Sequence, residues 1–341
     1  MLEGLPLAAN AAVFVVSAIV VWLSGTRLSR YADAIARRTG IGQVAVGMLL
    51  LGGVTSLPEI AVAGSAAFAG NGALAVNNLL GGFTMQVAIL SLADAVYRRG
   101  ALTQAVPDPA VLLQGLLGML LMALVVMGIA VGDIAVFGIG IWSWIIAVVF
   151  FYCLRLLRRA EGSLDWEVVG EPPSEELPEA KKPDASTRRL IVQTCAVAAA
   201  ILVAGWALST SAEALAEQTG LGQSFFGAIF VAVATSLPEV STVLSAMRLK
   251  RYVMAVSDIF GTNLFDIAFI FIVDLAYAGP AVLSEMQDFS IVAAVLGILV
   301  TGIYMVGIIE RRDRRIAGVG IDSIAVAVTY LGGVVLLYVL R

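Results

Sequence analysis

Long apolar stretches separated by short polar punctuation dominate the chain, and the stretches recur near the length that matters for a bilayer. A hydrocarbon core of roughly 30 Å takes about 20 helical residues at about 1.5 Å each. Read from one polar break to the next, the pattern predicts helices near 6–26, 41–68, 73–97, 108–131, 134–157, 189–210, 221–247, 252–277, 286–309 and 318–340. No run alternates with the period of two that a β-barrel requires. The first apolar run follows Glu3 rather than Lys or Arg, so it reads as a helix of the mature protein and not as a signal peptide.

A second pattern lies on top of the first. Thr39-Gly40-Ile41-Gly42-Gln43 and Thr55-Ser56-Leu57-Pro58-Glu59 recur as Thr219-Gly220-Leu221-Gly222-Gln223 and Thr235-Ser236-Leu237-Pro238-Glu239. The offset is 180 positions throughout, from Leu28/Leu208 to Asp94/Asp274 and Tyr97/Tyr277. A gapless register of that length marks an internal duplication. The fold class that follows is an all-α membrane protein of ten transmembrane helices, arranged as two five-helix repeats: residues 1–157 and 189–341, joined by a linker at 158–188.

Five spans per repeat is an odd number, so the second repeat enters the membrane inverted, and the distribution of positive charge agrees. Short cytoplasmic loops collect Lys and Arg. Arg27, Arg30, Arg37 and Arg38 precede the first Thr-Ser-Leu-Pro-Glu, where the second repeat has Ala207, Thr210, Glu217 and Gln218. Arg248, Lys250 and Arg251 follow the second motif, where the first repeat has Phe68, Gly70 and Asn71. With ten spans, only Arg341 of the 21 Lys and Arg falls off one face, which puts both termini on the non-cytoplasmic side of a plasma or inner membrane.

Composition narrows the chemistry. The chain is 60% hydrophobic and 13% charged, so the lipid bilayer is its solvent. Histidine is absent and there are two cysteines, Cys153 and Cys195, which leaves no basis for imidazole catalysis, a thiolate metal site or a disulfide framework. Nothing in the pattern points to nucleic acid or to a resident cofactor; oligomeric state is not legible. The linker run Glu171, Glu175, Glu176 and Glu179 could hold a regulatory cation, but its prolines and sparse apolar residues favour a solvated connector.

The chemistry concentrates at the duplicated motif. Proline removes one helical N–H and pushes away the carbonyl four residues earlier, which frees the carbonyls of Val54 and Ala234. Such breaks are tolerated in a membrane where they line a polar cavity. Thr55 and Glu59, and likewise Thr235 and Glu239, are spaced i,i+4 and share a helix face. A second polar break follows each motif, at 77–86 and 257–266; there Thr262 and Asp266 are again i,i+4, with Gly82 and Gln86 as their first-repeat counterparts. Asp258 lies beside the second break with only Asn78 opposite it. The acids deepest in their spans are Glu59, Glu239 and Asp266, each costing about 2.5–3.5 kcal/mol on insertion scales. No basic residue is expected at that depth, so bound cations or protons must compensate them. Hydroxyls, carboxylates and carbonyls are hard donors suited to Na⁺ or Ca²⁺, and Thr55, Thr235, Glu59, Glu239 and Asp266 are the expected metal ligands. Asp94 and Asp274, and Asp33 and Glu213, sit near helix ends and read as capping or interhelical groups; Trp142, Trp144 and Trp206 read as packing or interfacial residues.

These motifs resemble the calcium/cation antiporter superfamily, in particular its Na⁺/Ca²⁺ exchanger branch, whose two repeats carry Gly-Thr-Ser-Leu-Pro-Glu followed by a Gly-Ser/Thr-Asn-x-x-Asn/Asp break. The resemblance covers nearly the whole chain. It implies cation ligation by Thr55, Ser56, Glu59, Thr235, Ser236, Glu239, Thr262 and Asp266, with Gln86 at the position of the usual Asn. It also implies that the first and sixth helices slide to give alternating access. The chain departs from the pattern at Val54 and Ala234, where the family has Gly, at Gly82, where it has Ser, and at Asn77-Asn78 and Ser257-Asp258, where it has Gly-Asn. The proton-coupled branch carries Gly-Asn-Ala-x-Glu instead, so the resemblance favours exchange of Ca²⁺ against Na⁺. The alternatives are H⁺-coupled or other-cation exchange and, from another class, a passive channel or a non-transporting scaffold. An intramembrane enzyme would need a nucleophile motif that is not present.

Overall fold

The computed structural model describes residues 4–97, 100–106, 108–160, 187–220, 233–312 and 314–340. The chain runs through α1 (Leu7–Thr39), α2 (Gln43–Thr55), α3 (Leu57–Phe68), α4 (Gly72–Tyr97), α5 (Pro109–Val131) and α6 (Ile141–Ala160). It continues through α7 (Thr187–Gln218), α8 (Leu237–Arg248), α9 (Tyr252–Ala276), α10 (Asp288–Glu310) and α11 (Ile321–Leu340). Among the described residues, eight helices are long and apolar enough to cross a membrane, or nine if α2 and α3 make one span bent by 43°. Their number and composition make this an all-α, multi-pass membrane protein. The expected helix at 221–247 lies partly outside the described residues, and the linker glutamates wholly so.

Helix ends depart from the sequence reading in physically simple ways. The first helix was expected to stop near 26, but α1 continues for three more turns to Thr39, because past the apolar run it buries Leu28, Ala32 and Asp33 and turns Arg37 and Arg38 outward. It ends where Gly40, at φ 73°, adopts the left-handed cap that a side chain would disfavour. The helices expected from 134 and 318 begin later, at Ile141 and Ile321. Each is preceded by a two-residue hairpin, β1–β2 (Ala135–Val136, Ile139–Gly140) and β3–β4 (Arg315–Ile316, Val319–Gly320). Phe137-Gly138 and Ala317-Gly318 take positive φ at both loop positions, the geometry of a type I′ turn.

The two halves interlock about a pseudo-twofold axis. In a twofold arrangement, a contact between residue i and the mate of j implies a contact between the mate of i and j, and the chain obeys this repeatedly. Gly25 on α1 packs against Pro238 and Ser241 of α8, while its mate Gly205 on α7 packs against Pro58 of α3. Asp94 accepts from the backbone N–H groups of Leu102 at 2.6 Å and Gly320 at 2.7 Å. Its mate Asp274 accepts from Val282 at 2.9 Å and Gly140 at 2.8 Å, and from Ser143 Oγ at 2.6 Å. These aspartates tie each half's loop to the hairpin of the other, which is the interhelical role their positions suggest. Asp274→Ala leaves three buried donors without an acceptor, at about 1–3 kcal/mol each before relaxation. A loss of about 3 kcal/mol is expected, read as a lowered unfolding temperature in detergent; an unchanged midpoint would show that the ties carry no stability.

Helices α4 and α9 lie innermost, with 61% of the most apolar window of each buried, whereas α11 buries only 11% of its own and faces lipid. Two apolar clusters enclose α9. One includes Phe260, Tyr304 and Leu51; the other includes Phe83, Leu264 and Leu121. At one end of α9, Arg251 Nε donates to Asp33 Oδ1 at 2.6 Å, and Arg37 pairs with the other carboxylate oxygen. Asp33 is therefore an interhelical ion-pair centre; Glu213, at the matching position, is exposed.

Candidate cation-binding site

The crossing of α2 with α9 positions the site. Residues Val46–Gly52 of α2 are wound as a π-helix, a wider turn that recurs at functional positions. The approach is made possible by glycine. A Cβ on Gly52 would lie 2.7 Å from the Thr262 backbone nitrogen, and one on Gly261 would lie 2.5 Å from the Met48 Cα. Backbone against backbone, α2 delivers Thr55 to α9 just before the bend at Ser56, where α3 departs with Pro58 in its first turn.

The hydroxyl oxygens of Thr55 and Thr262 are 3.3 Å apart. Thr55 Oγ1 also lies 3.1 Å from the Leu51 carbonyl, and Thr262 Oγ1 donates to the Asp258 carbonyl at 3.0 Å. On the adjoining face, Gln86 Nε2 of α4 donates to Asp266 Oδ2 at 3.0 Å. Gln86 and Asp266 are mates under the 180-residue offset, so the bond joins a residue to its own symmetry partner. A Cβ on Gly82 would sit 3.7 Å from Asp266 Oδ2 and 3.9 Å from Gln86 Nε2, which places this glycine at the edge of the same cluster with room for a small side chain.

Glu59, Glu239 and Asp266 are all buried. Glu59 lies within electrostatic range of both other acids, and Glu239 of Asp266 and Asp258. Glu59 Oε2, both carboxylate oxygens of Glu239, and Asp266 Oδ1 have no hydrogen-bond partner among the described residues. Buried carboxylate oxygens are ordinarily paired, so these atoms are available for a ligand. Among the described residues no three acids gather closely enough to form a metal cage by themselves. Asp266 is instead paired with the Gln86 amide nitrogen.

The expected residues do not all converge equally. Thr55 and Thr262 form one hydrogen-bonded pair and Gln86 and Asp266 another. Ser56 is buried, but its hydroxyl donates to the Gly52 carbonyl at 2.7 Å, and Ser236 Oγ points to Met85 Sδ at 3.6 Å. Thr235 and Ala234 are buried in the second-half bend. Pro58 and Pro238 have no N–H to offer the carbonyls of Val54 and Ala234. Sequence reasoning missed the environment of Asp258, whose Oδ2 accepts from Thr242 Oγ1 at 2.5 Å. It also missed Gln114, which donates to the Ser257 carbonyl at 3.0 Å. The available signal was the replacement of Val62 by Thr242 across the repeat.

A family model described as "Sodium/calcium exchanger protein" matches residues 9–158 and again 190–339. The chain is 26% identical over 322 residues to a putative antiporter CaxA of Alkalimonas amylolytica, covering 90% of this chain and 94% of that protein. It is 28% identical over 268 residues to the inner membrane protein YrbG of Escherichia coli K12, covering 76% and 77%. Among solved structures, the sodium-calcium exchanger NCX_Mj soaked with 2.5 mM Na⁺ and 10 mM Sr²⁺ superposes with a TM-score of 0.73 at 17% identity, covering 97% of this chain and 99% of that one. The same exchanger soaked with zero Na⁺ and Ca²⁺ gives 0.71. With the family's model matched once in each half, the chain belongs to the sodium/calcium exchanger protein family and is a multi-pass, secondary-active cation antiporter.

Proposed function

We propose that the protein exchanges Ca²⁺ against Na⁺ by alternating access across ten spans. The halves 1–157 and 189–341 lie inverted in the membrane, the linker 158–188 is cytoplasmic, and both termini are on the opposite face. Thr55, Ser56, Glu59, Thr235, Ser236, Glu239, Thr262 and Asp266 ligate the cations, helped by Gln86 and by the carbonyls of Val54 and Ala234. In this reading α1 and α7 slide past the bundle while the site between α2–α3, α4, α8 and α9 stays in place. Broken helices in inverted repeats with a central site are the general architecture of secondary transporters.

The observation that carries the reading is the set of buried carboxylate oxygens on Glu59, Glu239 and Asp266 that have no partner among the described residues, close to where the bent α2–α3 segment crosses α9. Left as anions without a cation, they would oppose folding; filled by Na⁺ or Ca²⁺, they bind what must be carried. The test is uptake of radiolabelled Ca²⁺ into proteoliposomes. Uptake driven by an outward Na⁺ gradient is expected, with little under a pH gradient alone. Uptake driven only by the pH gradient would assign H⁺ coupling, and flux without any counter-ion gradient would indicate a channel.

A further inference from the structure

Asp258 is fully buried on α9, four residues before Thr262 and so about 6 Å along the helix axis toward the end that carries Arg251. None of the roles assigned above uses it. Thr242 Oγ1 lies 2.5 Å from Asp258 Oδ2 and 3.0 Å from the Glu239 carbonyl, and one hydroxyl proton cannot serve both fully. Among the described residues Asp258 Oδ1 has no hydrogen-bond partner, and neither does either carboxylate oxygen of Glu239, which lies within electrostatic range of Asp258. Arg251, at the start of α9, is already engaged with Asp33. A fourth acid therefore stands in the bundle interior facing unsatisfied oxygens.

The other half lacks the arrangement entirely. The mates of Thr242 and Asp258 are Val62 and Asn78, so hydroxyl and carboxylate are present together in one half and absent together from the other. A side chain kept for helix packing would need neither group. A carboxyl that merely accepted from Thr242 could be an amide, as at Asn78.

We propose that Asp258 is the anionic ligand of a second cation subsite, one helical turn from Thr262, in which a hard monovalent cation of the Na⁺ class is held by Asp258, Glu239 and the Thr242 hydroxyl. The subsite rests on the exchange reading above. Two carboxylates and a hydroxyl fall short of the six to eight oxygens that Ca²⁺ takes, which is why the lighter charge fits. Because Glu239 faces both subsites, a cation here competes for the same carboxylate as Ca²⁺ at the crossing. Na⁺ bound at Asp258 then withdraws a ligand from Ca²⁺, which is a direct route to exchange.

The test is Asp258→Asn, which keeps the size and the acceptor for Thr242 but removes the charge. In proteoliposomes the half-saturating Na⁺ should rise about tenfold, the change that corresponds to about 1.4 kcal/mol of lost Na⁺ binding. Na⁺-independent Ca²⁺/Ca²⁺ exchange should persist. An unchanged Na⁺ dependence overturns the subsite while leaving the exchange reading intact. Should D258N not fold, Thr242→Val, which withdraws the hydroxyl, must raise half-saturating Na⁺ in the same sense; no rise overturns the proposal. If the unaltered protein shows no Na⁺-driven uptake, the exchange reading fails by itself. Binding of radiolabelled Na⁺ to purified protein, weaker in D258N than in the unaltered chain if the subsite exists and equal if it does not, then decides the subsite separately.

Discussion

Glu239→Gln and Glu59→Gln are each expected to abolish Na⁺-driven Ca²⁺ uptake while leaving the protein folded. Glutamine fills the same volume but cannot offer a charged oxygen to a cation. Leaving one member of a buried charge pair uncompensated costs about 3–5 kcal/mol, so cation binding should weaken by at least about a hundredfold. Folding moves the other way. Neither carboxylate oxygen of Glu239 has a hydrogen-bond partner among the described residues, so in ion-free detergent the variant should unfold at the same temperature as the unaltered protein or above it. Loss of transport with a raised or equal midpoint separates a carrier site from a structural one. Retained uptake in both variants would place the transport site elsewhere.

Gly52→Ala should be nearly as damaging by a purely steric route. The added methyl would lie 2.7 Å from the Thr262 nitrogen, 3.0 Å from the Asp258 carbonyl oxygen and 3.1 Å from the Gly261 carbonyl carbon, none of which is a side chain that can turn aside. Overpacking of this kind costs about 1–3 kcal/mol. The helices can separate only by opening the 3.3 Å approach of Thr55 to Thr262. Uptake is therefore lost even where the protein still folds. Gly64→Ala, where nothing among the described residues lies within 4 Å, is the control and should transport normally; equal activity in the two variants would show that the close approach is dispensable.

What the sequence discloses and what it hides follow from the range of each interaction. The duplication, the bend at Ser56, and the pairing of Thr55 with Glu59 along the chain are local or periodic, and spacing alone exposes them. Asp94 and Asp274 are visible as mates, and their positions near helix ends already suggest ties to neighbouring segments. The three extra turns of α1 are hidden because amphipathic charge follows the apolar run, and Arg37 and Arg38 read as a loop although Gly40 marks the stop. Both hairpins are hidden because two residues per strand leave no periodicity to detect. The ion pair between Asp33 and Arg251 spans 218 residues and depends on how α1 lies against α9. Which residues would face one another across the crossing was legible in kind, as hard oxygen donors, but not in detail. The turn of Ser56 toward Gly52 and the meeting of Thr242 with Asp258 are decided by packing.

The bond between Gln86 and Asp266 bears on how membrane voltage acts on the carrier. A residue that touches its own symmetry mate lies on the axis relating the two halves, and a point on that axis is equally far from both ends of the fold. On the proposed reading, with the halves inverted and Asp266 a cation ligand, an ion bound there has crossed about half of the transmembrane field, whichever side it entered from. The field is worth about 2.3 kcal/mol per charge per 100 mV over the whole thickness, so each leg of the cycle feels about half of that. Polarising the membrane then acts equally, and in the same sense, on an ion's entry to the site and on its release to the far side.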